Sequence, residues 1–151
     1  MFKPIKFLGI VALIIATVVM FSSCNKYERK IVGKWIVTKA KVDMDGTGLG
    51  CMKDGTITFR ENGVCIWESC DDCGNTETEL EYSINNDELI MEYSEKGEGY
   101  TQKMSYVLNI EIKKSDMYAS GKMKLQYEAY EYPELSRNDE AKCTLEMEKK
   151  K

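Results

Sequence analysis

The chain has 151 residues, a formal net charge of −4 at pH 7 and no histidine. The missing histidine removes the commonest general base and the commonest zinc ligand. An acidic chain without a basic stripe is also a poor nucleic-acid partner, because phosphate neutralisation supplies most of that affinity. Nine tyrosines among many Thr, Val and Ile residues favour strands over helices.

The first element is the segment MFKPIKFLGIVALIIATVVMFSSC, residues 1–24. Lys3 and Lys6 make a short positive region, and Phe7 to Phe21 is apolar apart from Gly9 and Thr17. Such a run of about 15 residues is short of the about 20 that a membrane span needs, and it suits the apolar region of a signal peptide. Phe21-Ser22-Ser23-Cys24 resembles the lipobox of bacterial lipoproteins, with Phe21 where leucine is usual. The resemblance implies a signal peptide at residues 1–23 and a lipid on the Cys24 thiol. Acyl chains contribute about 0.8 kcal/mol per buried methylene, so two or three of them anchor a protein stably. Asn25 after Cys24 implies, by the same analogy, transfer to the outer membrane of the cell envelope. The mostly basic Asn25-Lys26-Tyr27-Glu28-Arg29-Lys30 implies its periplasm-facing leaflet, with surface exposure as the alternative. Residues 24–30 then form a short linker to a domain at 31–151. At about 3.3–3.6 Å per extended residue, the linker holds that domain within roughly 25 Å of the bilayer. A domain held so close is expected to meet its ligand at the membrane.

Eight strands are predicted next, in chain order. Ile31 to Val42 is a β-branched run around Trp35, followed by the turn-rich Asp43–Gly50. Thr56–Arg60 and Val64–Glu68 flank Glu61-Asn62-Gly63, where Asn-Gly supplies the positive φ of a tight turn. A three-residue loop there would set Phe59, Cys65 and Trp67 on one face; a two-residue turn would set Val64 and Ile66 there instead. Burying both aromatics favours the first. Thr78–Ile84 and Glu88–Tyr93 join through Asn85-Asn86-Asp87, and Thr101–Lys113 and Met117–Tyr127 through Lys114-Ser115-Asp116. Alternation is clear in Tyr106, Leu108, Ile110, Ile112 and in Met123, Leu125, Tyr127. Glu128–Glu140 reads as irregular around Pro133, and Cys143, Leu145 and Met147 alternate in the last strand. Short connections and no amphipathic helix make this an all-β antiparallel meander. Closure into an up-and-down barrel would remove the two exposed edges; an open β-sandwich is the alternative.

Gly33-Lys34-Trp35 on the first strand resembles the Gly-x-Trp motif of lipocalins, where the Trp plugs the closed end of an eight-stranded barrel. The resemblance spans roughly Ile31 to Glu148 and is nearest to lipocalin-like lipoproteins of Bacteroides-type bacteria. The family's last-strand arginine, which packs over that Trp, has no counterpart, since Ala141 to Lys151 contains only lysines. The resemblance implies Gly33 and Trp35 as structural residues and a non-catalytic barrel that binds a small apolar ligand. Its cavity would be lined by Ile57, Phe59, Trp67, Ile90, Tyr106, Leu108, Leu125 and Tyr127. The alternative is a filled barrel acting as an interaction or inhibitor module on an envelope protein, through the Asp43–Lys53 and Glu128–Glu140 loops.

Five cysteines follow Cys24, namely Cys51, Cys65, Cys70, Cys73 and Cys143. In an oxidising envelope these are first disulfide candidates. Extending the Thr56–Glu68 hairpin sets Cys51 opposite Cys70 and Cys73, so a bridge from Cys51 to one of these two is expected. Cys65 and Cys143, within strands, form a second bridge or are buried thiols. Zinc held through Cys70 and Cys73 ranks below disulfides, and redox catalysis there ranks lower still, because Asp71 and Asp72 disfavour thiolate. Glu77, Glu79, Glu81, Asp87, Glu88, Glu92 and Glu95 read as a solvated barrel face. No phosphate loop, nucleophile elbow or metal-binding helix is present in the sequence. No cofactor, metal or enzymatic activity is expected.

Overall fold

The computed structural model describes residues 26–43 and 52–151. The signal segment with Cys24, and Cys51 with most of the loop before it, lie outside the described residues. Eight strands follow in sequence: β1 (Gly33–Val42), β2 (Thr56–Phe59), β3 (Val64–Glu68), β4 (Glu77–Asn85), β5 (Glu88–Gly97), β6 (Tyr100–Lys113), β7 (Asp116–Ala129) and β8 (Arg137–Lys149). Each pairs antiparallel with the next, and β8 pairs back onto β1, so the sheet is a closed barrel rather than an open sandwich. The only helical pieces among the described residues are 3-10 turns at Asp71–Cys73 and Pro133–Leu135.

Turn chemistry sets the hairpin registers. Gly63 has φ +80° and closes the three-residue loop Glu61-Asn62-Gly63, with the Arg60 amide donating to the Val64 carbonyl at 2.9 Å. The resulting pairs, Phe59 with Cys65 and Ile57 with Trp67, set both aromatics on the inner face. Asn86 and Lys114, at φ +58° and +56°, take the left-handed positions of the β4–β5 and β6–β7 turns. The late strands run longer than their side-chain alternation suggests. β5 continues through Ser94–Gly97, paired to Tyr100–Lys103, and β8 begins at Arg137 instead of near Cys143. Backbone pairing carries these hairpins onward through polar sequence, forming a lip on one side of the barrel.

The barrel closes where β1 meets β8. Thr38 is the extra residue of a bulge there, and its hydroxyl donates to the Glu146 carbonyl at 3.0 Å. The bulge shifts the side-chain phase: Trp35 and Val37 point inward before it, Ala40 and Val42 after it. At the start of β1, Trp35 is fully buried and its indole nitrogen donates to the Ile31 carbonyl at 2.7 Å. Ile31 belongs to a turn rather than to β1, its amide bonding to the Tyr27 carbonyl at 2.9 Å. Lys149 sits 5.4 Å from the centre of the Trp35 ring and donates to the Lys30 carbonyl at 3.0 Å. A lysine of β8 therefore takes the place over the tryptophan for which no arginine was available. Gly33 is required for this approach. It has φ +131°, and a Cβ there would lie 2.8 Å from Cε of Lys149. We expect Gly33→Ala to cost about 1–3 kcal/mol through backbone strain and Lys149→Met about 0.5–2 kcal/mol through loss of the cation–π contact. Urea unfolding measures both, and unchanged midpoints in the two variants would remove the Trp35–Lys149 contact from the account of closure.

Candidate functional site

Burial along the inner face is graded, and the gradient defines a site. Near Trp35 the interior is packed: Val37, Ile57, Phe59, Cys65, Leu80, Leu89, Met91, Tyr106, Leu108, Ile110, Met123 and Leu145 are all buried in one apolar cluster. Toward the opposite end the same inward positions become half-buried. On β6 the change falls between Met104, half-buried, and Tyr106, 1% exposed; on β5 it falls between Tyr93 and Met91, and on β7 between Leu125 and Met123. Trp67, Thr78, Tyr93, Met104 and Leu125 thus form a half-buried, mostly apolar ring over a packed floor. Registers set Tyr93 opposite Met104 and Met104 opposite Leu125, and Trp67 opposite Thr78.

A polar lip stands above the ring. Tyr93 and Tyr100 both donate to the Glu95 carboxylate, at 3.2 and 3.3 Å. Tyr100 stacks on Tyr127 with ring centres 5.5 Å apart. Tyr127 lies opposite Arg137, whose guanidinium is paired with Asp139 at 2.6 Å. Glu95 raises the Tyr100 hydroxyl above its usual pKa by its negative charge. On the outer wall beside the lip, a hollow of 460 Å³ is lined by polar residues including Thr101, Lys103, Gln126 and Ser136. Another, of 620 Å³, lies near the packed end between Glu28, Arg29, Glu61 and Tyr82.

Two interior polar atoms stand apart from these satisfied groups. The Trp67 indole nitrogen and the Tyr106 hydroxyl are buried and have no hydrogen-bond partner among the described residues.

The eight residues expected to line a cavity divide three ways. Trp67, Leu125 and Tyr127 belong to the half-buried ring and lip. Ile57, Phe59, Tyr106 and Leu108 are at most 1% exposed and form packed core instead. Ile90 is a correction: it points outward, between inward Leu89 and Met91, and pairs with outward Val107. Three apolar residues in a row gave no phase, and only pairing with β6 supplied one. Tyr93, Met104 and Thr78 went unread as site residues. The alternation Leu89, Met91, Tyr93 would have pointed to the first. Tyr130 and Tyr132, both more than half exposed, stand outside the ring, while Glu77, Glu79 and Glu81 alternate on the exposed face.

Among the cysteines, Cys65, Cys70 and Cys143 are free thiols, so Cys65 and Cys143 are buried thiols and not a second bridge, and of the Cys70 and Cys73 pair Cys70 is not the bonded one. Cys65 is on β3 and Cys143 on β8, strands that do not adjoin in the barrel. Cys73 is disulfide-bonded, and Cys51, the partner expected for it, lies outside the described residues. Among the described residues no three His, Cys, Asp or Glu side chains are grouped to hold a metal ion. Burial pushes the Cys65 thiol up to about 12 and the Cys143 thiol up to about 11. Burial likewise lifts the Tyr106 hydroxyl above its ordinary value.

Fold and site together define a small closed β-barrel, packed at one end and lined by half-buried aromatic and apolar side chains at the other. Residues 31–117, more than half of the chain, match the family model described as lipocalin-like domain, and the chain belongs to that family. The match covers β1 to β6 and the start of β7, while the barrel needs β7 and β8 to close. Among solved structures the chain is similar to one described as the crystal structure of intact afifavidin in its apo form. The TM-score is 0.38 at 11% identity, covering 76% of this chain and 80% of that one. No curated protein matches the chain.

The thiol environments generate a prediction. Raised values favour the protonated forms in the fold, so this contribution to stability is complete below the ordinary thiol value of 9.0 and is lost as pH rises toward the folded values. The urea midpoint is expected to fall above about pH 9, and a flat alkaline profile would contradict it. A thiol reagent should label Cys70 in the native protein, but Cys65 and Cys143 only after unfolding.

Proposed function

We propose that this protein is a lipid-anchored lipocalin-like protein of the cell envelope that binds a small apolar ligand in the half-buried ring, without catalysing a reaction. The observation that carries the reading is the ring itself. Trp67, Tyr93, Met104 and Leu125 present apolar surface above a packed floor, with a few polar groups convergent on it. Sites of that composition are the usual small-molecule sites of proteins. Covering on the order of 100 Å² of such surface contributes about 2.5 kcal/mol to binding. The non-catalytic part is supported by an interior whose thiols are held protonated and a chain without histidine.

The anchor is proposed at Cys24 after removal of residues 1–23, on the periplasm-facing leaflet of the outer membrane in a Bacteroides-type envelope. Residues 26–32 join the barrel at its packed end, beside Trp35 and Lys149. A lipid at Cys24 would turn that end to the bilayer, with Lys26, Arg29 and Lys30 near the headgroups. The ring would then open away from the bilayer, below the lip at the far end of the tilted strands. That geometry favours a ligand arriving from the aqueous side over one handed up from the membrane.

A second reading has one observation of its own. Tyr130, Tyr132 and Leu135 are 57%, 58% and 59% exposed on the β7–β8 connection, an apolar group suited to a partner protein. Native mass spectrometry of the envelope-purified protein separates the two: a co-purifying small molecule supports the ring, while a co-purifying protein lost on Tyr132→Ser supports the connection. Cys24→Ala should move the protein from the membrane to the soluble fraction of the envelope. Retention of that variant in the membrane would contradict lipid anchoring.

A further inference from the structure

We infer that the ring takes a neutral, largely apolar molecule bearing a carbonyl oxygen, which accepts hydrogen bonds from the Trp67 indole N–H and the Tyr106 hydroxyl. The inference rests on the ligand-binding reading above and names the class of molecule bound.

Buried polar groups are partnered in the great majority of cases, and each exception calls for a reason. Elsewhere in this barrel the other buried indole keeps the rule, and more exposed tyrosines are partnered as well. The Trp35 indole donates to the Ile31 carbonyl, Tyr82 to the Arg60 carbonyl, and Tyr93 and Tyr100 to Glu95. Trp67 and Tyr106 are the exceptions among the described residues, and both belong to the inner face. Their positions are matched to the site. Tyr106 is the first fully buried residue of β6 below half-buried Met104, at the top of the packed floor. Trp67 is the last inward residue of β3 and a member of the ring. A tryptophan can only donate, so the missing partner at that nitrogen is an acceptor. Tyr106 remains protonated at neutral pH, because burial and the nearby Cys143 both raise its pKa, and so it too can donate.

The charge of the ligand follows from what surrounds these donors. The inward positions of the floor and ring carry no lysine or arginine; Arg137 stands on the lip and is already paired with Asp139. Lys149 is at the other end of the barrel, over Trp35. A carboxylate placed at Trp67 and Tyr106 would be desolvated without a counter-charge, and Glu95 on the lip would repel it. A neutral acceptor avoids both penalties. Carbonyl oxygen has two lone pairs and can receive both donors at once. The body of the molecule would lie against Trp67, Met104 and Leu125.

The test uses acetophenone and its isosteric hydrocarbon cumene, which differ in the acceptor oxygen. Each is titrated calorimetrically into the full-length protein in lipid nanodiscs, with empty nanodiscs subtracted. We expect acetophenone to bind roughly tenfold or more tightly than cumene, the scale of one or two net hydrogen bonds. Tyr106→Phe, which keeps the ring and removes only the hydroxyl, and Trp67→Phe, which removes the N–H together with part of the indole surface, should each reduce the preference for acetophenone over cumene. A measurement needing no variant accompanies this: the Trp67 indole proton resonance should move downfield on adding acetophenone while that of Trp35, already bonded to Ile31, stays. Equal binding of the two probes with a stationary Trp67 resonance overturns the carbonyl assignment and leaves the ligand-binding reading standing. Absence of binding by either probe overturns both.

Discussion

Closure of β1 onto β8 is the constraint on which the rest of this barrel depends, and the contact between Trp35 and Lys149 lies at its foot. An eight-stranded meander that fails to close has two edges with unpaired amides and carbonyls, open to association with other chains. Here the first and last strands meet with Trp35 opposite Lys149. The lysine ammonium covers the indole face and bonds the Lys30 carbonyl, while the indole N–H bonds the Ile31 carbonyl. One cation and one ring thereby satisfy two carbonyls of the turn before β1 and seal the end of the interior. Gly33 makes room for the lysine stem, which gives the Gly-Lys-Trp sequence its physical meaning in this protein.

Sealing one end determines what the other can do. The buried cluster fills outward from Trp35 to the level of Tyr106, Met91 and Met123, and the inward positions beyond it stay half-buried. The Thr38 bulge contributes by re-phasing β1, so that Ala40 and Val42 rather than Lys39 and Lys41 continue the inner face. The extended hairpins of β5 to β8 then add a lip whose tyrosines are fixed by Glu95 and whose arginine is held by Asp139. Surface ion pairs such as Lys122 with Glu140 contribute little to stability individually, being exposed. The apolar cluster and the closed ladder of backbone hydrogen bonds hold the fold.

The free thiols follow the same logic. Cys65 and Cys143 occupy inward positions, flanked by apolar side chains on different strands, where they act as small hydrophobic residues. Burial, and not a bridge between them, keeps both thiols protonated and away from solvent. Cys70 keeps its thiol while Cys73 is bonded, so the Cys-Asp-Asp-Cys segment is not joined within itself.

The amino-acid sequence alone determined the strand count and the antiparallel order, because alternation and turn residues are local properties: Tyr106 to Ile112, Asn62-Gly63 and Asn85-Asn86-Asp87 carry them without reference to the rest of the chain. It also determined which aromatics of the β2–β3 hairpin face inward, since loop length fixes register. Tertiary structure alone decided the phase of Ile90, where a run of three apolar residues leaves both faces open until β6 pairs with it. The role of Lys149 was likewise hidden, because its partner is more than a hundred residues away in sequence and the two meet only on closure. The level at which packed core gives way to ring was hidden too. Ile57, Phe59 and Leu108 read the same as Trp67 and Leu125 in an alternating pattern, and only distance from the sealed end separates them. Alternation reports which side of the sheet a residue takes; how deep it lies along the barrel depends on strand stagger and closure.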